Sequence, residues 1–150
     1  MIRFVPFEPA HLLRIRPQDA HRHWAGALSV QDGLMLAKGM AWTGLHGERA
    51  VGCGGLMPIA PHRALAWALI GAPPKPAWPR IHRQVRRAIA HGHAQGYARI
   101  EMHVDAEFPA ARRWARLLGF AEEARLRQAL ANRHDCLMMV KFDEIAEADL

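Results

Sequence analysis

The stretch RALAWALIGAPPKPAWPRIHRQVRRAIAHGHAQGYARIEMHV, Arg63 to Val104, decides the fold. It opens with an apolar run, Ala64–Ile70, of strand length and bounded by turn residues. At Pro79 the period changes. From Pro79 to Gln95, Ile81, Val85, Ala88, Ile89 and Gly92 fall on one helical face, and Arg80, Arg83, Arg87 and His91 fall on the opposite one. Gly96 stands where a helix C-cap glycine belongs. Tyr97 to Val104 then alternates, with Ile100, Met102 and Val104 on one side and Glu101 and His103 on the other. A strand, a helix and a strand in succession require a crossover connection, so the two strands pair parallel.

Upstream, AWTGLH (Ala41–His46) and AVGCGGLMPI (Ala50–Ile59) read as strands joined by the hairpin turn Gly47-Glu48. The turn Pro61-His62-Arg63 leads into Ala64, so these runs form a three-stranded antiparallel meander. The glycines of VGCGG permit a bulge or a close backbone approach. Met1 to Pro6 alternates around Ile2, Phe4 and Pro6 as an edge strand. Glu8–Ile15 reads as a short helix with Leu12 and Leu13 inward. Pro17 suits the first position of a second helix, Gln18–Leu28, and Ser29 can cap a third that carries Leu34, Met35 and Lys38. Downstream, Pro109–Leu118 is amphipathic, with Trp114, Leu117 and Leu118 inward and Arg112, Arg113 and Arg116 outside; Gly119 ends it. Two further strands, Glu122–Gln128 and His134–Phe142, turn near Asn132. The expected architecture is α/β: a mixed, mostly antiparallel sheet of about seven strands, with helices on both faces, in one domain over residues 1–150.

The 51% hydrophobic and 23% charged content is that of a globular chain. A chain of 150 residues buries roughly 68–70% of its unfolded surface and needs no disulfide staples. No apolar stretch reaches the ~18 residues of a membrane span, and the N-terminus lacks a signal-peptide pattern, so a cytoplasmic place is expected. Cys53 and Cys136 have no metal spacing and read as reduced thiols in or near strands. His91 and His93, like His21 and His23, have an HxH spacing that on a helix points to different faces, so no metal site is expected. The net charge of +6, carried mostly by arginine, favours anionic partners: a nucleotide phosphate, a nucleic acid or an acidic surface.

The element order, together with AARRWARLLGF (Ala110–Phe120), GYARIEMHV (Gly96–Val104) and VGCGGLMP (Val51–Pro58), resembles the GNAT N-acetyltransferase superfamily over about Ala41–Phe142. The Trp-containing helix that ends in Gly119-Phe120 is also similar to a divergent branch of that superfamily found in phages and prophages. The resemblance implies the acyl-CoA N-acyltransferase fold, with acetyl-coenzyme A as co-substrate in a V-shaped gap between the fourth and fifth strands. It implies that the pantetheine arm pairs with the backbone of Ala68, Leu69 and Ile70. It implies that the pyrophosphate sits on amides opening the next helix, in a Q/R-x-x-G-x-G/A loop. That loop falls on Pro76–Ile81, where Pro76, Pro79 and Ile81 replace all three motif residues.

A helix start attracts anions whatever its sequence, through unsatisfied amides and the positive dipole end. The amides of Arg80, Ile81, His82 and Arg83, with the guanidinium groups of Arg80 and Arg83, therefore make a candidate phosphate site. Pro79 fits the first helical position. Ile81 stands where glycine would allow close approach. The stretch also reads as a rigid proline connection followed by a solvated arginine face. Trp78 is a candidate for lining the gap or covering a substrate, and Phe108 occupies the position of an asparagine common before the late helix.

Acetyl transfer to an amine needs a base for the ammonium and a donor for the leaving thiolate. The family's tyrosine position is Ala115 here, and the fourth strand carries no acid. Glu101 and His103, on one face of the fifth strand, are the catalytic candidates, since imidazole titrates near neutral pH; Glu48 and His134 are weaker ones. Positioning with water as the proton carrier is a further route. The reading is an acetyltransferase acting on a small-molecule or protein amine. The alternatives are an inactive binding or virion-associated protein on the same fold, and a nucleic-acid binder using the arginines of the two helices. No membrane partner is expected, and a homodimer stays open.

Overall fold

Seven strands form one sheet in the order β1-β2-β3-β4-β5-β7-β6. The computed structural model describes residues 1–17 and 30–144, so the expected helix Gln18–Leu28 and the Ser29 cap lie outside the described residues. The strands are β1 (Ile2–Pro6), β2 (Met40–His46), β3 (Arg49–Ala60), β4 (Arg63–Ile70), β5 (Arg99–Asp105), β6 (Ala121–Leu126) and β7 (Cys136–Phe142). The helices are α1 (Val30–Leu36), α2 (Trp78–Ala94) and α3 (Pro109–Leu117). β1 to β4 run antiparallel, and β5, β7 and β6 do likewise. The two antiparallel blocks meet at the β4–β5 pair, which is parallel as the α2 crossover demands.

Side-chain alternation divides the core between the two sheet faces. On one face Leu56, Ala64, Ile100 and Val104 pack with Ile89 of α2 and with Ala115, Leu118 and Phe120 in and after α3. On the other face Cys53 and Leu69 pack with Phe7, Leu12, Ile15 and Leu36. Gly92 lets α2 seat closely: a Cβ there would strike Cδ1 of Leu56, and that side chain would have to shift. Gly96 and Gly119 close α2 and α3 with φ of +108° and +98°, the left-handed caps their positions predict.

Several local expectations change. Glu8–Ile15 is not an α-helix; it holds a short 3-10 turn, Pro9–Leu13, which buries Leu12 but leaves Leu13 79% exposed. Its tighter period carries adjacent leucines to opposite sides. Leu117 is 73% exposed rather than inward, because the inner face of α3 runs through Ala111, Ala115 and Leu118 at helical spacing. The β6–β7 turn begins after Leu126, with Gln128 and Arg133 at positive φ.

Candidate active site

β4 and β5 pair only through Arg63–Arg99, Ala64–Ile100 and Leu65–Glu101, then separate. Beyond that point β4 follows β3 and β5 follows β7, each ladder continuing toward the strand ends. The amide of Gly71 donates to Val51 O on β3, and that of Arg99 donates to His62 O. Alternation therefore turns the backbone groups of Ala66 and Ala68 toward β5, and those of His103 and Asp105 toward β4. No strand occupies the space between them. A cavity of about 550 Å³ fills it and reaches both faces of the sheet. Val85, Ala111, Trp114 and Leu118 line it on the α2–α3 side; Met35, Leu36, Met57 and Trp67 line it on the other. A mostly apolar cleft of this size suits a small-molecule site.

At the closed base, four charged side chains hold the strands together. Arg63 makes paired hydrogen bonds to Glu101, its Nη2 lying 2.9 Å from both carboxylate oxygens. Arg99 reaches Glu101 at 3.1 Å and Glu123 of β6 at 2.7 Å. The Glu101 side chain is only 3% exposed. Burial pushes its carboxyl up, but the bonds and charges of Arg63 and Arg99 outweigh that and hold it below the usual carboxylate range. This overturns the catalytic role expected for Glu101: an ionised carboxylate spent on two guanidinium groups is a poor proton acceptor. The partner that decides this, Arg63, is 38 residues away in sequence.

His103 stands beyond the end of the β4–β5 ladder, exposed and on the cavity wall. Glu101 and His103 share a strand face as alternation requires, but they do not work as a pair. A different cluster closes the open end. The Asp105 carboxylate, fully buried, accepts hydrogen bonds from Nδ2 of Asn132 at 3.0 Å, the Glu107 amide at 3.0 Å and Nδ1 of His134 at 2.9 Å. Burial would raise Asp105; these donors overcome it and lower it. Its hydrogen bond and charge in turn raise His134 above 6.5. Asp105 lines the cavity. The sequence shows no signal for this cluster, because the turn that brings Asn132 and His134 back to the end of β5 is a tertiary contact.

The remaining expected site residues scatter. Ala68 lines the cavity. Leu69 is 1% exposed with its side chain in the opposite core, and Ile70 is 3% exposed. Ile81 is also core, packed with Ile2, Val51 and Ala77. Trp78 does not line the gap; its ring meets Trp114 edge-on at 5.8 Å. His82 is engaged as well, its Nδ1 accepting the indole N–H of Trp114 at 2.9 Å. Arg80 and Arg83 are exposed on α2. Phe108 precedes α3 with its ring 6.3 Å from that of His134.

The helix that carries the Arg80–Arg83 amides begins one residue earlier than expected, at Trp78. A 3-10 turn, Lys75–Ala77, runs directly into the helix; Ala77 is already helical, and the amides of Ala77 and Trp78 donate to Pro74 O and Lys75 O. Pro76 and Pro79 have no N–H. Two amides at the start of α2 are therefore spent and two positions carry none, which leaves a phosphate the amides from Arg80 onward. Trp67 and Trp114, both packed against the core, also reach the cavity. Among the described residues no three His, Cys, Asp or Glu side chains gather as a metal site would, and no helix is long and apolar enough to cross a membrane.

No family model matches the sequence, and no curated protein matches it. Solved structures do. An acetyltransferase of the GNAT family from Streptococcus pneumoniae superimposes with a TM-score of 0.71 at 17% identity, covering 95% of this chain and 99% of that one. The ribosomal-protein-S5-alanine acetyltransferase from Vibrio fischeri gives 0.67 at 12% identity, over 95% and 93% of the two chains. The spermidine/spermine N-acetyltransferase from Vibrio cholerae gives 0.66 at 15%, over 99% of each. With the mixed sheet, the α2 crossover and the parted β4–β5 pair, these likenesses establish that the chain has the fold of the GNAT N-acetyltransferases.

Proposed function

We propose that the chain is an N-acetyltransferase that takes acetyl-coenzyme A into the β4–β5 wedge and passes its acetyl group to an amine by direct attack. The parting of the two strands after Leu65 and Glu101, with the 550 Å³ cavity beyond, carries this reading. Backbone groups of Ala66 and Ala68 face the gap and suit the amide-bearing pantetheine arm. One of their N–H groups is placed to donate to the thioester oxygen, and such a bond strengthens as negative charge develops there. The amine enters from the side of Met57 and Trp67. Its nitrogen attacks the carbonyl carbon, the C–S bond breaks, and the proton lost by nitrogen ends on the departing thiolate sulfur. His103 is the side chain proposed to carry that proton, from its place on the cavity wall. Glu101 serves as the pin at the base of the wedge. With the amides of Ala77 and Trp78 spent, the exposed guanidinium groups of Arg80 and Arg83 are the groups proposed to meet the diphosphate.

Calorimetry with acetyl-coenzyme A tests this. One site per chain is expected, with a matching rise in melting temperature by mass action. Absence of both heat and thermal shift, for acetyl-coenzyme A and for coenzyme A, would sink the proposal.

The opening turn of α2 favours a second reading, in which the fold survives as a non-catalytic binding protein. Under it a ligand fills the cavity, yet coenzyme A gives no protection.

A further inference from the structure

The wall of the cavity on the amine side narrows the class of acceptor, given the acetyltransferase reading on which this inference rests. That wall is formed by Leu36, Met57, Leu65 and Trp67, with Met35 next to Leu36 on α1. Carboxylates are scarce on the lining: among the described residues only Asp32 and Asp105. Asp105 already receives three donors, and Asp32 has an interaction of its own. A polyamine needs several carboxylates to replace the water around its several charges, and a chain of net charge +6 repels it at long range.

Among the described residues, two tryptophans of the lining, Trp42 and Trp67, have a buried indole N–H without a partner, and Trp67 stands on this wall. The indole N–H of Trp67 is buried and finds no acceptor among the described residues, while the edge of Phe7, 5.2 Å from the Trp67 ring centre, fixes the ring. Trp67 lies on β4 between Ala66 and Ala68, the two residues whose backbone faces the gap. A buried donor left unsatisfied is costly, so this N–H is best matched by an oxygen that arrives with the ligand.

We infer that the acceptor is a monoamine with an apolar, ring-sized body and a carbonyl or carboxylate oxygen close to the nitrogen: the chemistry of an apolar α-amino acid, free or at the start of a peptide. The body lies on the methionines and leucines, the oxygen accepts from Trp67, and the nitrogen faces the wedge.

The experiment measures release of coenzyme A thiol from acetyl-coenzyme A with four amines: phenylalanine, a short peptide beginning with phenylalanine, phenethylamine and spermidine. Phenylalanine or the peptide is expected to exceed spermidine in kcat/KM by about tenfold or more, and whichever is faster identifies the source. Trp67→Phe keeps the ring and removes the N–H. It is expected to raise KM roughly fivefold for the oxygen-bearing amines and to leave phenethylamine unchanged. Preference for spermidine, turnover of none of the four, or an equal response of phenethylamine to Trp67→Phe overturns the inference while leaving acetyl-coenzyme A binding intact. Lack of acetyl-coenzyme A binding in calorimetry removes the acetyltransferase reading, and this inference with it.

Discussion

The two ends of the β4–β5 pair contrast sharply. At the base, three residue pairs, Arg63–Arg99 to Leu65–Glu101, are laddered and tied by a chain of arginine and glutamate. At the mouth, alanine faces the gap, no ladder forms, and apart from His103 and Asp105 most of the lining side chains are apolar. Each strand keeps its outer partner throughout, β3 for one and β7 for the other. The wedge therefore costs only the few hydrogen bonds β4 and β5 do not make with each other, and a polar pin at one end sets where it starts. The cleft here comes from two intact antiparallel blocks of one sheet, joined only at the base of the β4–β5 pair.

The strongest way to break that contrast is to remove the pin. Glu101→Ala leaves Arg63 and Arg99 facing each other without their shared carboxylate. Breaking a buried pair costs about 3–5 kcal/mol; because the arginines are 37% and 21% exposed, roughly 2–4 kcal/mol is expected from urea denaturation. A loss below about 0.5 kcal/mol would show that the base holds without it.

The mouth can be filled instead. Ala68→Phe puts a ring into the cavity and should weaken acetyl-coenzyme A binding roughly a hundredfold in calorimetry, about 2.7 kcal/mol, with the melting temperature little changed. Unaltered affinity would place the ligand elsewhere.

The smallest effect sharpens the picture at the open end, where His134 meets Asp105. The folded pKa of His134 is raised, so its contribution to stability is fully present below 6.5 and is lost as pH climbs through the raised value. Asp105, lowered, contributes above the ordinary carboxylate range and loses that contribution only in acid. The gap in melting temperature between the wild type and His134→Gln should be widest below pH 6.5 and close as pH rises through the raised value. A gap that widens toward high pH would contradict the ion pair.

Much of this was legible in the chain. Gly96, Gly119 and the spacing of Ile81, Ala88 and Ile89 mark two helices and their ends, and a helix between two strands dictates parallel pairing. The point of separation was not legible as a residue position. It depends on where β3 and β7 lead, and on Arg63 meeting Glu101 across the sheet. Glu101 was misread for the same reason: strand alternation gives its face but not its partners. The start of α2 was misplaced because a proline at a first helical position looks alike whether or not a 3-10 turn has already begun before it. Leu13 and Leu117 fell on the wrong side because a five-residue turn and a nine-residue helix leave little periodicity to read.

The burial of both cysteines has a practical consequence. Cys53 is 0% exposed and Cys136 2%. Desolvation pushes the first thiol up to about 12 and raises the second, so neither offers much thiolate at neutral pH. In a colorimetric turnover assay on the native protein, the chain's own sulfur should stay dark. Every equivalent of yellow product would then count one molecule of coenzyme set free, and a slow rise in the blank would report unfolding.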